Sequence, residues 1–206
     1  MIYNISHTTT QINAAEYIRN YRDVHKFIAY CRQCNRYGNC WACPPYDFDT
    51  DSFISSYEYL HIIGTKIVLE DEVRNSCTDT VQQIELGKKI LTEVRFGLDK
   101  YLLHLENIYT GSKAFFAGTC HLCPENGCTR INGKPCIHPG EIRHSLESFG
   151  FDIGKTTSDL LGIELKWSSD GQLPEYFILV SGLFTNHVIK GLDPFNQILN
   201  SPFLEH

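Results

Sequence analysis

Between residues 80 and 107 the apolar positions fall at Ile84, Leu91, Val94, Leu98, Leu102 and Leu105. Those steps of seven, three and four lay one stripe along a long amphipathic helix, and packing against a core is its plain reading. A second helical pattern covers residues 12–30. There Ile12, Ala15 and Ile18 recur at three-residue steps, and Val24, Phe27 and Ile28 follow at helical spacing. Residues 60–69 are rich in β-branched side chains and read as a buried strand; residues 113–117 read as another. Strand, helix and strand in that order predict a right-handed βαβ unit with parallel neighbours.

Shorter signals fill the rest. Asp49 or Asp51 caps a short helix over 52–57. After Cys136, Pro139 suits the first turn of a helix and Gly150 its C-terminal cap. A short helix is expected over 157–161. Strands over 163–167 and 175–181, joined by Ser168, Ser169, Asp170 and Gly171, predict an antiparallel hairpin. The fold class is α/β of the α+β kind: a mixed β-sheet with a βαβ unit and helices packed on it, plus a cysteine-rich N-terminal extension. We assign 1–203 to a single metal-binding domain, with the extension at 1–58. The α/β core is 59–203, and its second cysteine loop is 118–139. Leu204, Glu205 and His206 read as the remnant of a histidine tag.

Composition narrows the function. The chain has 206 residues, 42% hydrophobic and 12% aromatic, enough to bury a core. No apolar run is long enough to span a bilayer, and the first ten residues carry neither a basic nor an apolar leader segment. A cytoplasmic protein without membrane attachment is expected. A net charge of -6 without a basic run argues against nucleic acid as the partner. Nine cysteines stand against one methionine. An odd count in a leaderless chain of this length points to metal ligands rather than disulfides.

Eight of the nine fall into two quartets. Cys31, Cys34, Cys40 and Cys43 form the first, and Cys120, Cys123, Cys128 and Cys136 the second; Cys77 stands apart in a polar stretch as a free thiol. Four thiolates suit tetrahedral zinc or one iron–sulfur cluster. Structural zinc sites pair two Cys-x-x-Cys turns across a spacer of roughly 12 to 20 residues. Here the first quartet has five residues between its pairs, and the second has a single Cys-x-x-Cys followed by uneven gaps. A cubane takes one thiolate on each iron, so it tolerates that unevenness. Zinc stays open for each quartet, as does one centre built from both.

The stretch Cys31-x2-Cys34-x2-Tyr37-Gly38-x2-Trp41-Ala42-Cys43-Pro44-Pro45 resembles the N-terminal signature of an uncharacterised cysteine-rich family of predicted metal-binding proteins, the domain of unknown function 2284. The second stretch is similar to that family as well: Gly118-x-Cys120-x2-Cys123, Cys128, then Cys136-x-His138-Pro139, Arg143, Ser145, Glu147 and Gly150. The resemblance spans nearly the whole chain. It implies metal binding, with iron–sulfur chemistry expected, and it supplies no reaction and no substrate.

Among the remaining candidates, His138 and Arg143 are placed as cofactor-binding: His138 to ligate or bond a cluster sulfur, Arg143 to neutralise an anionic cluster or hold an acidic ligand. A helix cap and a solvated helix face are their plainer readings. His121 has the same two readings. Trp41, Tyr37 and Tyr46 would shield a cluster or simply pack. No Ser/His/Asp order, phosphate-binding glycine loop or His-Glu-x-x-His occurs, so no catalytic residue is assigned. The expectation is an iron–sulfur protein with one or two [4Fe–4S] clusters, in electron transfer or redox support of a partner enzyme, a homodimer being compatible. The alternatives are a zinc-stapled binding module and a metal-handling or metal-sensing protein without redox chemistry.

Overall fold

The structure, a computed structural model, describes residues 2–76, 79–124, 127–166 and 173–189. Its sheet has four strands: β1 (Tyr3–Asn13), β2 (Tyr59–Leu69), β3 (Lys113–Phe115) and β4 (Tyr176–Thr185). They stand in the order β1-β2-β4-β3, with every ladder antiparallel. Six helices accompany them among the described residues: α1 (Ala14–Tyr21), α2 (Val24–Cys31), α3 (Thr50–Ser55), α4 (Asp71–Ser76), α5 (Thr80–Ile108) and α6 (Ile153–Leu161). The α+β class is as expected. Cys77, the turn at 168–171 and residues 204–206 lie outside the described residues.

The pairing corrects the βαβ expectation. Strands β2 and β3 do run in the same direction, since each is antiparallel to β4, but β4 lies between them. Burial explains this order. β4 alternates its apolar side chains between both sheet faces, Leu179 and Leu183 to one and Val180 and Phe184 to the other. Such a strand belongs in the sheet interior. β3 has only three residues and would leave most of the eleven-residue β2 edge unpaired. The expected hairpin partner at 163–166 is irregular rather than a strand.

Helix α5 covers one face, through Ile90, Val94, Leu98, Leu102 and Leu105 against Ile63, Ile67 and Leu183. Its expected stripe is shifted at the N-terminal end. Ile84 is exposed, and Ile90 takes the core position. On the opposite face Ala14, Tyr17, Ile54, Phe149, Phe151 and Leu161 pack on Leu60, Ile62 and Phe184.

The helical pattern over 12–30 is broken in two. Asn13 caps α1 by accepting the Glu16 N–H at 3.2 Å, and Asp23 caps α2 by accepting the Lys26 N–H at 3.0 Å. Arg22, between them, is extended and bridges Phe151. Its guanidinium donates to the Phe149 carbonyl at 2.7 Å and pairs with Asp51 at 2.5 Å. Apolar spacing runs unbroken across this kink, so periodicity alone hides it.

Strand β1 escaped the hydrophobic pattern because its inward positions include His7 and Thr9. His7 Nδ1 lies 3.0 Å from Thr65 Oγ1 on β2, which replaces apolar contact with a cross-strand hydrogen bond. No helix follows Cys136 either. One turn forms over His138–Ile142, and a 3₁₀ turn spans Glu147–Phe149, closed by Gly150 at φ 86°. Between them Arg143 donates to the carbonyls of Gly140 and Ile142, and the His144 carbonyl accepts the Phe116 N–H at 2.8 Å. Those bonds take acceptors that a helix would need.

Burial holds the imidazoles of His7 and His61 neutral in the fold, pulling both from about 6.5 down to about 4. In the unfolded chain they titrate near their ordinary value, so that chain binds more protons between those limits. Their contribution to stability is complete above about pH 6.5 and falls as pH drops toward 4. Urea midpoints should therefore decline between pH 7 and pH 5, and less steeply in His7→Gln.

Candidate metal centre

The first cysteine loop leaves α2 at Cys31. Two tight turns follow, with the Cys34 N–H on the Cys31 carbonyl at 3.0 Å and the Cys43 N–H on the Cys40 carbonyl at 3.0 Å. Each Cys-x-x-Cys thus folds back as a tight turn. Gly38, at φ 72°, bonds its N–H to the Pro44 carbonyl at 2.8 Å and closes the loop. The second loop leaves β3 through Gly118, at φ 71°. It runs past Cys120 and Cys123 to a 3₁₀ turn, Thr129–Asn132, that begins just after Cys128.

Arg130, from that turn, joins the two loops. It donates to the carbonyls of Cys40 at 2.8 Å and Cys43 at 2.6 Å, and also to that of Pro45. Its guanidinium stands 5.1 Å from the Trp41 ring centroid, and the Trp41 indole donates to the Lys134 carbonyl at 3.0 Å. From below, the Ala42 carbonyl accepts the Tyr46 hydroxyl at 2.9 Å and lies 3.1 Å from His144 Nδ1. Burial first, then Lys113 and Arg143, keeps His144 below its ordinary range, with Ala42 opposing.

The eight described cysteines are all free thiols. Thiols of the two loops meet: Cys40 and Cys128 are buried together, with Cys43 and Cys120 packed against them. Cys40, 2% exposed, is in hydrogen-bonding contact with Cys120 and with Cys43. Those contacts, Cys120 first, hold the Cys40 thiol far below its ordinary range, while donation to Cys40 and burial push Cys43 and Cys120 up. Cys43 Sγ also lies 3.5 Å from Thr119 Oγ1. Cys123 is pushed up by burial and then by Cys128, Cys136 and Cys40. The Cys136 sulfur accepts the His138 N–H at 3.3 Å.

Among the described residues no three His, Cys, Asp or Glu side chains already stand in a metal-holding arrangement. The donor set nevertheless fits a metal. Soft thiols, one of them already biased to thiolate, are what zinc and iron–sulfur clusters take. The residues that would hold it are the eight cysteines.

Two sequence candidates sit elsewhere. Arg143 makes a bidentate pair with Glu106 of α5, Nε to Oε1 at 2.6 Å and Nη2 to Oε2 at 2.5 Å. It is committed to that carboxylate and serves to anchor the second loop on α5. His138 serves Cys136 through its backbone N–H, and its ring lies 3.6 Å from Glu141. His121 Nε2 lies 3.1 Å from Asp99 Oδ2.

Two cations face the thiols: Arg36, which lines a cavity with Cys31, Cys34 and Cys43, and Arg95, on the buried side of α5 toward Cys120. Arg95 donates to the Thr119 carbonyl at 2.7 Å and lies 3.7 Å from Asp99. Burial pulls Arg95 down, and the charges of Asp99, Cys120 and Glu147 oppose that. The sequence signal was a charge beside Val94 in an apolar stripe. Arg130 has no sequence signal, and Glu147 enters only as a position of the family signature, without a role. Glu147 follows the buried Leu146 and stands two residues before the buried Phe149, which is the one hint of its burial.

Removing the Arg130 side chain strands three carbonyls. Hydrogen bonds to a charged group are worth about 1.5–3 kcal/mol each. Arg130→Ala should release the first loop locally and expose Cys40 to a thiol reagent that barely reaches it in the parent protein. Arg130→Lys, without the planar fork, should restore only part of the protection. Glu106→Gln leaves a buried guanidinium short of its partner charge, and should cost about 3–5 kcal/mol in urea unfolding.

No curated protein and no solved structure matches this chain. A family model described as predicted metal-binding protein, DUF2284, matches residues 15–184, from α1 through the cysteine loops to the end of β4. The chain therefore belongs to the DUF2284 family of predicted metal-binding proteins.

Proposed function

We propose that the protein is an iron–sulfur protein whose thiol layer holds one or two [4Fe–4S] clusters, and that it serves electron transfer or the redox support of a partner enzyme. The observation that carries this reading is the run of thiols from Cys34 through Cys43, Cys40 and Cys120 to Cys123, strung over two adjoining loops. A multi-iron body is held by sulfurs spread along its edges, one to each iron. A single tetrahedral ion instead needs four sulfurs closing on one point.

The surroundings suit an anionic cluster. Backbone N–H groups reach sulfur at Cys34, from Arg36 at 3.5 Å, and at Cys136, from His138 at 3.3 Å. Such donors and nearby charge set cluster potentials. Arg95 supplies the buried positive charge on the Cys120 side. Ala42, Ile142 and Trp41 pack around Cys40 and Cys128, limiting solvent there.

Protein purified without oxygen should be brown and should contain iron and acid-labile sulfide. It should also give an EPR signal on reduction or oxidation. A colourless product with stoichiometric zinc after the same anaerobic work would refute this assignment in favour of a zinc-stapled module.

A further inference from the structure

The eight thiols divide unequally in space. Cys31, Cys34 and Cys43 line one cavity of about 170 Å³, whose other walls include Arg36, Thr119 and Glu147. Cys40 does not line it. That thiol turns to the second loop, where it contacts Cys120 and is buried beside Cys128. The cavity therefore has three sulfurs and lacks the fourth that the sequence spacing promised.

A carboxylate stands at that wall. The Glu147 carboxylate is bonded by Ser145 and by its own backbone N–H, but its Oε2 is sealed from solvent and has no hydrogen-bond partner, although the residue as a whole is only partly buried. A buried carboxylate oxygen without a donor is costly, and a cation would satisfy it. Glu147 also acts electrostatically on Cys31, alongside Cys34. The cation it already feels, Arg95, donates to the Thr119 carbonyl.

Resting on the reading that the loops hold metal, we propose that Cys31, Cys34, Cys43 and Glu147 form a mixed site of three thiolates and one carboxylate, and that Cys40 is a ligand of the second centre with Cys120. Loading draws the three thiols together by side-chain rotation, which the exposed Cys34 at the end of a loop turn permits. Each thiol loses its proton to solvent as the metal–sulfur bond forms, and no electron is transferred. The site is asymmetric in chemistry. Its carboxylate is a harder, weaker ligand for a soft metal than a fourth thiolate, so this corner is the one an incoming ligand would displace.

The test uses the full chain, zinc ion as the probe and alkylation of unprotected thiols read by mass spectrometry. At increasing zinc, Cys31, Cys34 and Cys43 should become protected together, and Cys40 should follow the second-loop cysteines. Glu147→Gln should lower the affinity of the first group about tenfold or more, leaving Cys40 and Cys120 protected as before. Should that variant fold poorly, Glu147→Cys keeps the test: residue 147 should then be protected with the other three. Co-protection of Cys40 with Cys31, Cys34 and Cys43, with no effect at position 147, would overturn the mixed site and leave the metal-binding reading intact. No zinc uptake by either loop would overturn both.

Discussion

Two irregular loops, nearly ninety residues apart in sequence, have to be held against each other before their thiols can share anything. Irregular backbone carries carbonyls that no helix or ladder satisfies, and a buried one costs about 1–3 kcal/mol. Arg130 meets that constraint. Its planar fork serves the carbonyls of Cys40, Cys43 and Pro45 at once, reaching across 90 residues of sequence to the first of them. Everything nearer the sulfurs leans on it. The Ala42 carbonyl is thereby placed over Tyr46 and His144, and the Tyr46 hydroxyl oxygen lies 2.7 Å from Ser148 Oγ. Ser148 borders Phe149, whose carbonyl fixes Arg22 and hence the kink between α1 and α2. The clamp is thus tied to the helix that delivers Cys31.

What could be read from the sequence follows from how each segment is stabilised. β2, β4 and α5 bury apolar side chains at a regular period, and each was legible. β1 substitutes a histidine and a threonine at inward positions, so its stabilisation comes from a cross-strand bond that hydropathy does not register. The kink at Arg22 is decided by two side-chain caps and a contact with Phe151. The irregular path after Cys136 is decided by Arg143 and by the Phe116 amide. The Arg22–Phe151 bridge and the bond from the Phe116 amide to the His144 carbonyl are non-local, and no window of sequence contains both partners of either. The cysteine positions were legible as ligand candidates because their spacing is local. How the two loops meet is not legible, because Cys40 is buried with Cys128 and packed on Cys120, both far away in sequence.

Charge tells a similar story. Spacing suggested Arg143 as the counter-ion of a cluster, yet its partner is a carboxylate on α5, and the pair works as an anchor. Arg95 lay hidden in a helix stripe and faces the sulfurs instead. Both belong to one arrangement, in which α5 presents a buried arginine and a buried acid to the two ends of the second loop. Arg95 holds the Thr119 carbonyl just before Cys120, and Glu106 accepts the Ala114 N–H at 2.6 Å as well as Arg143. A charge sunk in a helix face is costly, and these two are retained at the positions where a loop must be oriented against the core.

The bonds that join the loops involve sulfur hardly at all. Arg130, Trp41, Tyr46 and His144 act on carbonyl oxygen, and Arg143 and Arg95 act on acids and carbonyls of the core side. In small zinc modules metal binding and folding are one event, since nothing else holds the ligands together. Here two packed faces of a four-strand sheet and a sulfur-independent clamp already do so. Occupancy of the thiols is then separable from folding of the chain. That separation is what a centre needs if it is to change its redox state or exchange a ligand without unfolding its protein.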